Sequence, residues 1–420
     1  MGHRRHAIRR RLGLAASLAL TLALVPAPAR AAAGDLDPTF GDAGKVVTTY
    51  PNGAAANEVA VQPDGKIVIA GWVGGRFAVA RYLPGGTLDP GFGTDGLVKT
   101  RIGDLGDEAN AVALLPNGRI VAAGTSNQER AIVVRYLEDG TLDTTFSGDG
   151  VAGTPRSAHL WGAEDLAIQA NGRIVVVGTG QEGSKYEFAA ARFLANGKRD
   201  RSFSDDGMVL TPFDYGQARA VALQPDGKIV AAGFHSRGLA LVRYLPDGSL
   251  DRTFGDRGRV GFWDDPAPWA IFGFAVAIQS NGRIVAAGNY DIFALGIARL
   301  LPDGRLDRSF GGDGVVRTQV VGNEQAFSAL ALLPGGKILA AGYSGPHESS
   351  DDVVPRFVVV RYRSHGVLDD TWSGNGKVAT LFPGGARGAG AALQPDGQLV
   401  VAGSIGLNGN EGFALARYLA

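Results

Sequence analysis

Residues 59–71 read VAVQPDGKIVIAG. Two apolar runs flank a Pro-Asp-Gly turn. This is a hairpin signature, because Asp-Gly and Asn-Gly supply the backbone conformations that a tight turn between paired strands requires. The stretch returns six more times. Its turn glycine is Gly65, Gly118, Gly172, Gly227, Gly282, Gly336 and Gly397, at steps of 53, 54, 55, 55, 54 and 61 residues. Five positions earlier stands Ala60, Ala113, Ala167, Ala222, Ala277, Ala331 or Ala392, and six positions later Gly71, Gly124, Gly178, Gly233, Gly288, Gly342 or Gly403. Self-similarity at a fixed period is the mark of a repeat architecture.

Each unit extends outward from this hairpin into four short strands. The first runs like Val59 to Gln62, the second like Lys66 to Ala70, the third like Phe77 to Leu83. After an LPGG or LPDG turn and an L-D-x-x-F connection, the fourth runs like Gly96 to Thr100. Short turns and the lack of any helical period predict antiparallel meanders. The first two strands are apolar on both faces, with large Val59 and Val61 opposite small Ala60, whereas a half-exposed sheet alternates apolar with polar residues. Sheets buried on both faces and repeated radially are propeller blades. A β-solenoid is the competing arrangement, but it takes fewer residues per coil and needs atypical end caps, and here the first and last copies look like the rest. The expectation is an all-β fold, a seven-bladed β-propeller of four-stranded antiparallel blades. The chain starts with a connection and fourth strand, Leu36 to Thr49, and ends with a third strand, Phe413 to Leu419. The N-terminal strand should therefore complete the last blade, and Arg417 should pair with Asp37 across the closure.

The units LDPTFGDAGKV, VAVQPDGKIVIAG and FAVARYLPGGTLD resemble the delta-60 repeat family over essentially all of residues 34–420. The resemblance implies a propeller and secretion. It brings no shared activity and no catalytic residue.

The first 33 residues carry five arginines between Arg4 and Arg11, the apolar run Leu12 to Val25, and Ala29-Arg30-Ala31. A basic segment, an apolar segment and a small-residue cleavage site read as a signal peptide over 1–33, with the general secretory and twin-arginine routes both open. The apolar run is too short to span a membrane, for which about 20 residues are needed. The propeller domain is then 34–420, secreted and extracellular. The chain holds 41 basic and 41 acidic residues; without the six leader arginines, 35 face 41, a net charge of −6. That balance argues against a nucleic-acid partner. There is no cysteine, which excludes disulfides and thiolate chemistry.

Seven arginines in strand three (Arg81, Arg135, Arg192, Arg243, Arg299, Arg361, Arg417) and seven aspartates in the connection (Asp37, Asp89, Asp143, Asp200, Asp251, Asp307, Asp369) recur once per unit. Such residues are structural by the logic of stacked repeats, and pair as ion pairs. The aromatic three residues after each aspartate fills the core between blades. Gly178-Thr-Gly180-Gln-Glu-Gly183 matches a dinucleotide fingerprint but opens no helix, so it is a loop coincidence. No Walker loop, G-x-S-x-G elbow or H-E-x-x-H occurs, and His159, His235, His347 and His365 are scattered over different units. The segment around HESSDD, within 344–355, has the composition of a solvated insertion.

Two candidate sites remain. Asn57, Glu58, Asp107, Glu108, Asn110, Glu164, Asp165 and Glu324 lie at or near first-strand starts, which in a propeller line the axis. Their oxygens suit a hard cation, so Glu58, Glu108, Asp165 and Glu324 are the candidate metal ligands and calcium the candidate ion; no other cofactor is expected. The variable connections, between strands two and three and between four and the next one, should share one face. They carry Trp161, Phe262, Trp263, Trp269, Tyr290 and Tyr343, aromatics suited to binding on a rigid scaffold. The favoured reading is a non-catalytic extracellular binding or scaffold module for a glycan or protein ligand. The alternative is a propeller-type enzyme, a metal-assisted hydrolase or lyase, with an axial carboxylate site. A deep axial pocket with perturbed acids would favour the enzyme, and a shallow aromatic face the binder.

Overall fold

The computed structural model describes residues 31–420 apart from 104–105, 127–129, 156–159, 214, 237, 262–270, 291–293, 323, 347–353 and 407–410. Residues 1–30 of the expected leader, with Phe262, Trp263, Trp269, His159 and His347, lie outside the described residues.

Residues 32–420 form one unit of seven four-stranded antiparallel sheets. The innermost strands are β2 (Ala54–Val61), β6 (Glu108–Leu114), β10 (Asp165–Ile168), β14 (Gln217–Leu223), β18 (Ile271–Ile278), β22 (Glu324–Leu332) and β26 (Ala386–Leu393). Each packs against the inner strands of both neighbouring blades, so the seven encircle the axis. Six sheets run in chain order from axis to rim. The seventh is completed at its rim by β1 (Lys45–Thr49) against β28 (Gly412–Tyr418), with Lys45 opposite Ala416 and Thr49 opposite Gly412. This is the predicted closure, and it leaves no unpaired β28 edge to template aggregation. Among the described residues no helix is long and apolar enough to cross a membrane.

The core is divided among the blade interfaces, one apolar cluster to each. Between the first and second blades, for example, Val68, Phe77, Phe92, Ile120 and Tyr136 are fully buried together. This is why the strands are apolar on both faces: each face of a blade meets a neighbour.

The once-per-blade ion pairs tie these interfaces. Arg243 Nε donates to Asp251 Oδ2 at 2.9 Å, its guanidinium lies 4.5 Å from the Phe254 ring, and Nη1 donates to the Pro302 carbonyl of the next blade. The arginine therefore staples two blades as well as its own connection. At the closure Arg417 meets Asp37 at 2.9 Å through Nε and 2.7 Å through Nη2, and donates to the Pro84 carbonyl. Burial by itself raises the Asp251 pKa, but hydrogen bonds from Thr253 and the charges of Arg243 and Lys228 outweigh it and hold the carboxyl at about 2. A second tie joins neighbouring blades where Tyr244 and Thr211 hydroxyls meet at 2.7 Å.

Candidate functional site at the axis and its mouth

The inner strands are not regular. The register shifts by one residue between Ala56 and Glu58, Ala109 and Ala111, Ala218 and Ala220, Gly273 and Ala275, Phe327 and Ala329, and Gly388 and Gly390. Each is a β-bulge, an extra unpaired residue that re-aims the side chains around it. In the third blade Glu164 takes the same place, with its N–H on the Val177 carbonyl. The bulges also account for the repeated glycine of the second strand. A Cβ on Gly71 would stand 1.9 Å from the Ala55 carbonyl oxygen, and one on Gly233 1.9 Å from that of Gln217.

The seven bulge residues, Asn57, Asn110, Glu164, Arg219, Phe274, Ser328 and Ala389, all line one axial cavity of about 390 Å3. They form a partial circumferential chain: Asn57 Nδ2 donates to the Ala109 carbonyl at 3.0 Å, and Asn110 Nδ2 to the Ala163 carbonyl at 2.9 Å. Arg219 Nη1 donates to Glu164 Oε2 at 2.8 Å. The wall is chemically split. Blades one to three contribute Glu58, Glu108, Glu164 and Asp165, whereas blades five to seven contribute Phe274, Val276, Leu330 and alanines, with Ser328 as their polar side chain.

The position after the bulge is Glu58, Ala111, Asp165, Ala220, Ala275, Ala329 and Gly390 around the ring. Five blades place alanine or glycine there; two place a carboxylic acid. Glu58 needs the space that Gly390 leaves, because a Cβ on Gly390 would lie 2.5 Å from Glu58 Oε1. Both acids keep some contact with the channel but are walled in on all sides. That desolvation pushes Glu58 up to about 8, helped by the Asp165 charge and opposed by the Val59 N–H at 2.8 Å. It pushes Asp165 up to about 7 against hydrogen bonds from Val221 N–H at 2.7 Å and Leu166 N–H at 2.6 Å. Desolvation, with the Glu164 charge, also raises Glu108.

At the mouth a second cavity of about 460 Å3 shares Glu108, Glu164 and Arg219 with the first and adds Trp161, Tyr186 and Gln217. Trp161 and Tyr186 meet edge to face at 5.4 Å, and Tyr215, 55% exposed, lies 6.3 Å from Tyr186. Tyr186 is carried by the longest hairpin, β11 (Ile174–Glu182) with β12 (Lys185–Phe193). The variable connections do share this face: Gly106 N–H donates to the Gly75 carbonyl and Gly216 N–H to that of Tyr186.

The expected site residues thus separate. Glu58, Glu108 and Asp165 converge on the axial cavity and Trp161 on the mouth. Glu324 stands apart, accepting from the Tyr343 hydroxyl at 2.9 Å, with Arg387 4.7 Å from the Tyr343 ring. Burial and the Glu324 charge raise Tyr343 to about 12. Tyr290 is not a surface aromatic: it is 1% exposed in the core between the fourth and fifth blades, with Arg317 3.6 Å from its ring, because its side chain turns into the blade interface. Asp107 is buried and accepts from Gly103 N–H at 2.8 Å, holding its own loop. Arg219, Gln217, Tyr186 and Tyr215 were absent from the sequence-derived set. A signal for Arg219 existed: the column eight positions before each turn glycine holds all seven bulge residues. Among the described residues no three His, Asp or Glu side chains gather closely enough to hold a metal ion, and the apolar half of the wall offers no carboxylate.

A family model described as a domain of unknown function (DUF5122) β-propeller matches residues 62–92, 115–146, 169–203, 224–254, 279–310 and 394–420. These segments cover six of the seven copies, each from the first turn to the connection aromatic or to the chain end. The chain is a β-propeller repeat protein. No curated protein sequence matches it significantly.

Solved structures similar to this propeller include YCF48 bound to D1 peptide, at 15% identity and a TM-score of 0.50 over 93% of this chain and 98% of that one. A protein of unknown function from Dyadobacter fermentans matches at 12% identity and 0.49, over 91% and 100%. Sqt1 from Chaetomium thermophilum matches at 13% and 0.47, over 87% and 95%. At 15% identity the likeness to YCF48 shows the fold alone.

Proposed function

We propose that this propeller is a secreted, non-catalytic binding module that holds a glycan or protein ligand at its variable mouth, and that its repeats are of the delta-60 type. The observation that carries the reading is the mouth groove, where Trp161 and Tyr186 stand beside Glu108, Glu164, Gln217 and Arg219. Rigid aromatic faces bordered by a few convergent polar groups are the usual composition of a ligand site. YCF48, similar in fold, is solved bound to D1 peptide, which supports a peptide as one ligand class. Export follows from the leader read over residues 1–33. The test is a glycan and peptide array probed with the unmodified protein and with Trp161→Ala. Ligands retained by the first and lost at least about tenfold by the second support the reading, since one buried aromatic anchor contributes about 2 kcal/mol or more. Equal binding by both overturns it.

A second reading, a propeller-type hydrolase or lyase, draws on Glu58 and Asp165, whose pKa values of about 8 and about 7 suit proton transfer near neutrality. It predicts turnover that disappears in Glu58→Gln.

A further inference from the structure

The axial cavity is asymmetric in a way the repeat does not require. Seven copies of one unit could line the axis with seven alanines at the position after the bulge, and five blades do place alanine or glycine there. The two acids, with Gly390 cleared to admit one of them, face the apolar half of the ring formed by Phe274, Val276 and Leu330. Glu164 has Arg219 as its counter-ion at 2.8 Å. Among the described residues no basic side chain pairs with Glu58, Glu108 or Asp165. A cavity with one wall of carboxyls that lack a basic partner and one largely apolar wall is complementary, once those carboxyls ionise, to a molecule with a cationic head and a hydrocarbon body. It is a poor match for a hard metal ion, which needs six or more oxygens around it.

We infer that the axial cavity binds an organic cation, a primary ammonium on an aliphatic stem, with the ammonium on Glu58 and Asp165 and the stem against Phe274, Val276 and Leu330. The inference rests on the binding reading above and names the chemistry recognised beneath the mouth. The cavity, about 390 Å3, falls in the roughly 300–1,000 Å3 of small-molecule sites. An ammonium offers three donors with no fixed plane, so it can serve carboxyls that arrive from different blades, where a planar guanidinium is more demanding. The access is polar, because Glu108, Glu164 and Arg219 border both cavities. Two sources fit: a free alkylamine, or a lysine side chain projecting from a peptide held in the mouth groove.

Binding must compete with protons. The groups facing the pair are Glu108, Glu164 and Arg219, and the acids themselves sit at about 8 and about 7. At about pH 6 both are protonated and neutral; at about pH 8.5 both are ionised while an alkylammonium, with a pKa near 10.4, keeps its charge. Affinity therefore rises with pH.

The experiment is calorimetric titration of the full chain with n-pentylamine, with an end-blocked Gly-Lys-Gly tripeptide and with calcium chloride, each at the two pH values. Support is saturable n-pentylamine binding at the higher pH, weaker by at least about tenfold at the lower, and lost in Glu58→Gln and Asp165→Asn that keep the unmodified circular dichroism. If either variant fails to fold, the pH dependence of the unmodified protein carries the decision. Tripeptide binding as tight as the amine assigns the source to a peptide side chain, and amine binding alone assigns it to a free amine. No saturable amine binding, binding that both folded variants retain, or a response to calcium alone overturns the inference. Array ligands that depend on Trp161 but no amine binding would sink this inference while leaving the binding reading intact; loss of both would sink both.

Discussion

Gly71 faces the point where the inner-strand bulge drives the Ala55 carbonyl across the sheet, and the 1.9 Å that a Cβ would leave cannot be relieved by rotating a side chain, because the neighbour is backbone. Gly71→Ala should cost about 3 kcal/mol or more, the upper end of overpacking penalties, read as a lowered unfolding midpoint. Gly85→Ala, where a Cβ meets nothing within 4 Å, should leave it unchanged. The same scale governs Glu58. Its folded pKa of about 8 lies above the ordinary 4.5, so the folded state holds a proton that the unfolded chain releases. That contribution is complete below about pH 4.5 and is lost as pH rises through 8. Thermal stability should therefore decline between about pH 5 and pH 9, and Glu58→Gln should flatten the decline. An identical slope in the variant would assign the decline to other groups.

At the scale of the element, the arginine staple works because one side chain meets three partners at once. Arg243 is paired with Asp251, lies over Phe254 and reaches the Pro302 carbonyl of the next blade. Arg243→Ala leaves the buried Asp251 carboxylate with only Lys228, 3.4 Å away, as counter-charge, so the cost should fall toward the lower end of the about 3–5 kcal/mol for breaking a buried pair; denaturant unfolding would measure it. The sign of the pH effect is opposite to that of the channel acids. Asp251 is held at about 2 against an ordinary 3.8, so its contribution is present above about pH 3.8 and lost as pH falls through 2. Arg243→Ala should thus be most damaging at neutral pH and less so at about pH 2, where the ion-pair part is about half lost while the contacts with Phe254 and Pro302 remain. The inner strand is the element on which the sequence reading fell short. It was expected over residues like 59–62 but runs from Ala54 to Val61. Its middle carries Asn57 and Glu58, whose polarity masks a strand that borders a channel instead of a core.

At the scale of the molecule, closure makes the ring cooperative. β1 pairs with β28, and Arg417 and Asp37 join residues 380 positions apart. Deleting residues 34–50 exposes the β28 edge and removes one wall of two interfaces. The melting temperature should fall by more than about 10 °C, with aggregation visible by light scattering; an unchanged, monodisperse protein would refute the closure account. The ring also converts a line of near-identical units into a chemically polarised axis, acidic over three blades and, Ser328 aside, apolar over the opposite three.

The residues alone determined the blade count, the strand order, the closing strand and the Arg–Asp partnership, because each follows from spacing that seven copies repeat and from hairpin chemistry that acts within a few residues. They also marked Glu58, Glu108, Asp165 and Trp161 as candidates. What only the tertiary structure decided is which side of each strand those residues occupy. One unpaired residue per inner strand reverses every side chain beyond it, and nothing in the local pattern of polar and apolar residues announces the insertion. For the same reason Arg219 joins the channel, Tyr186 and Tyr215 join Trp161 across the third blade and its two flanking connections, Tyr290 turns into the core, and Glu324 stays with Tyr343: ring geometry sets which columns of the repeat converge on the axis, and the bulge sets which column that is.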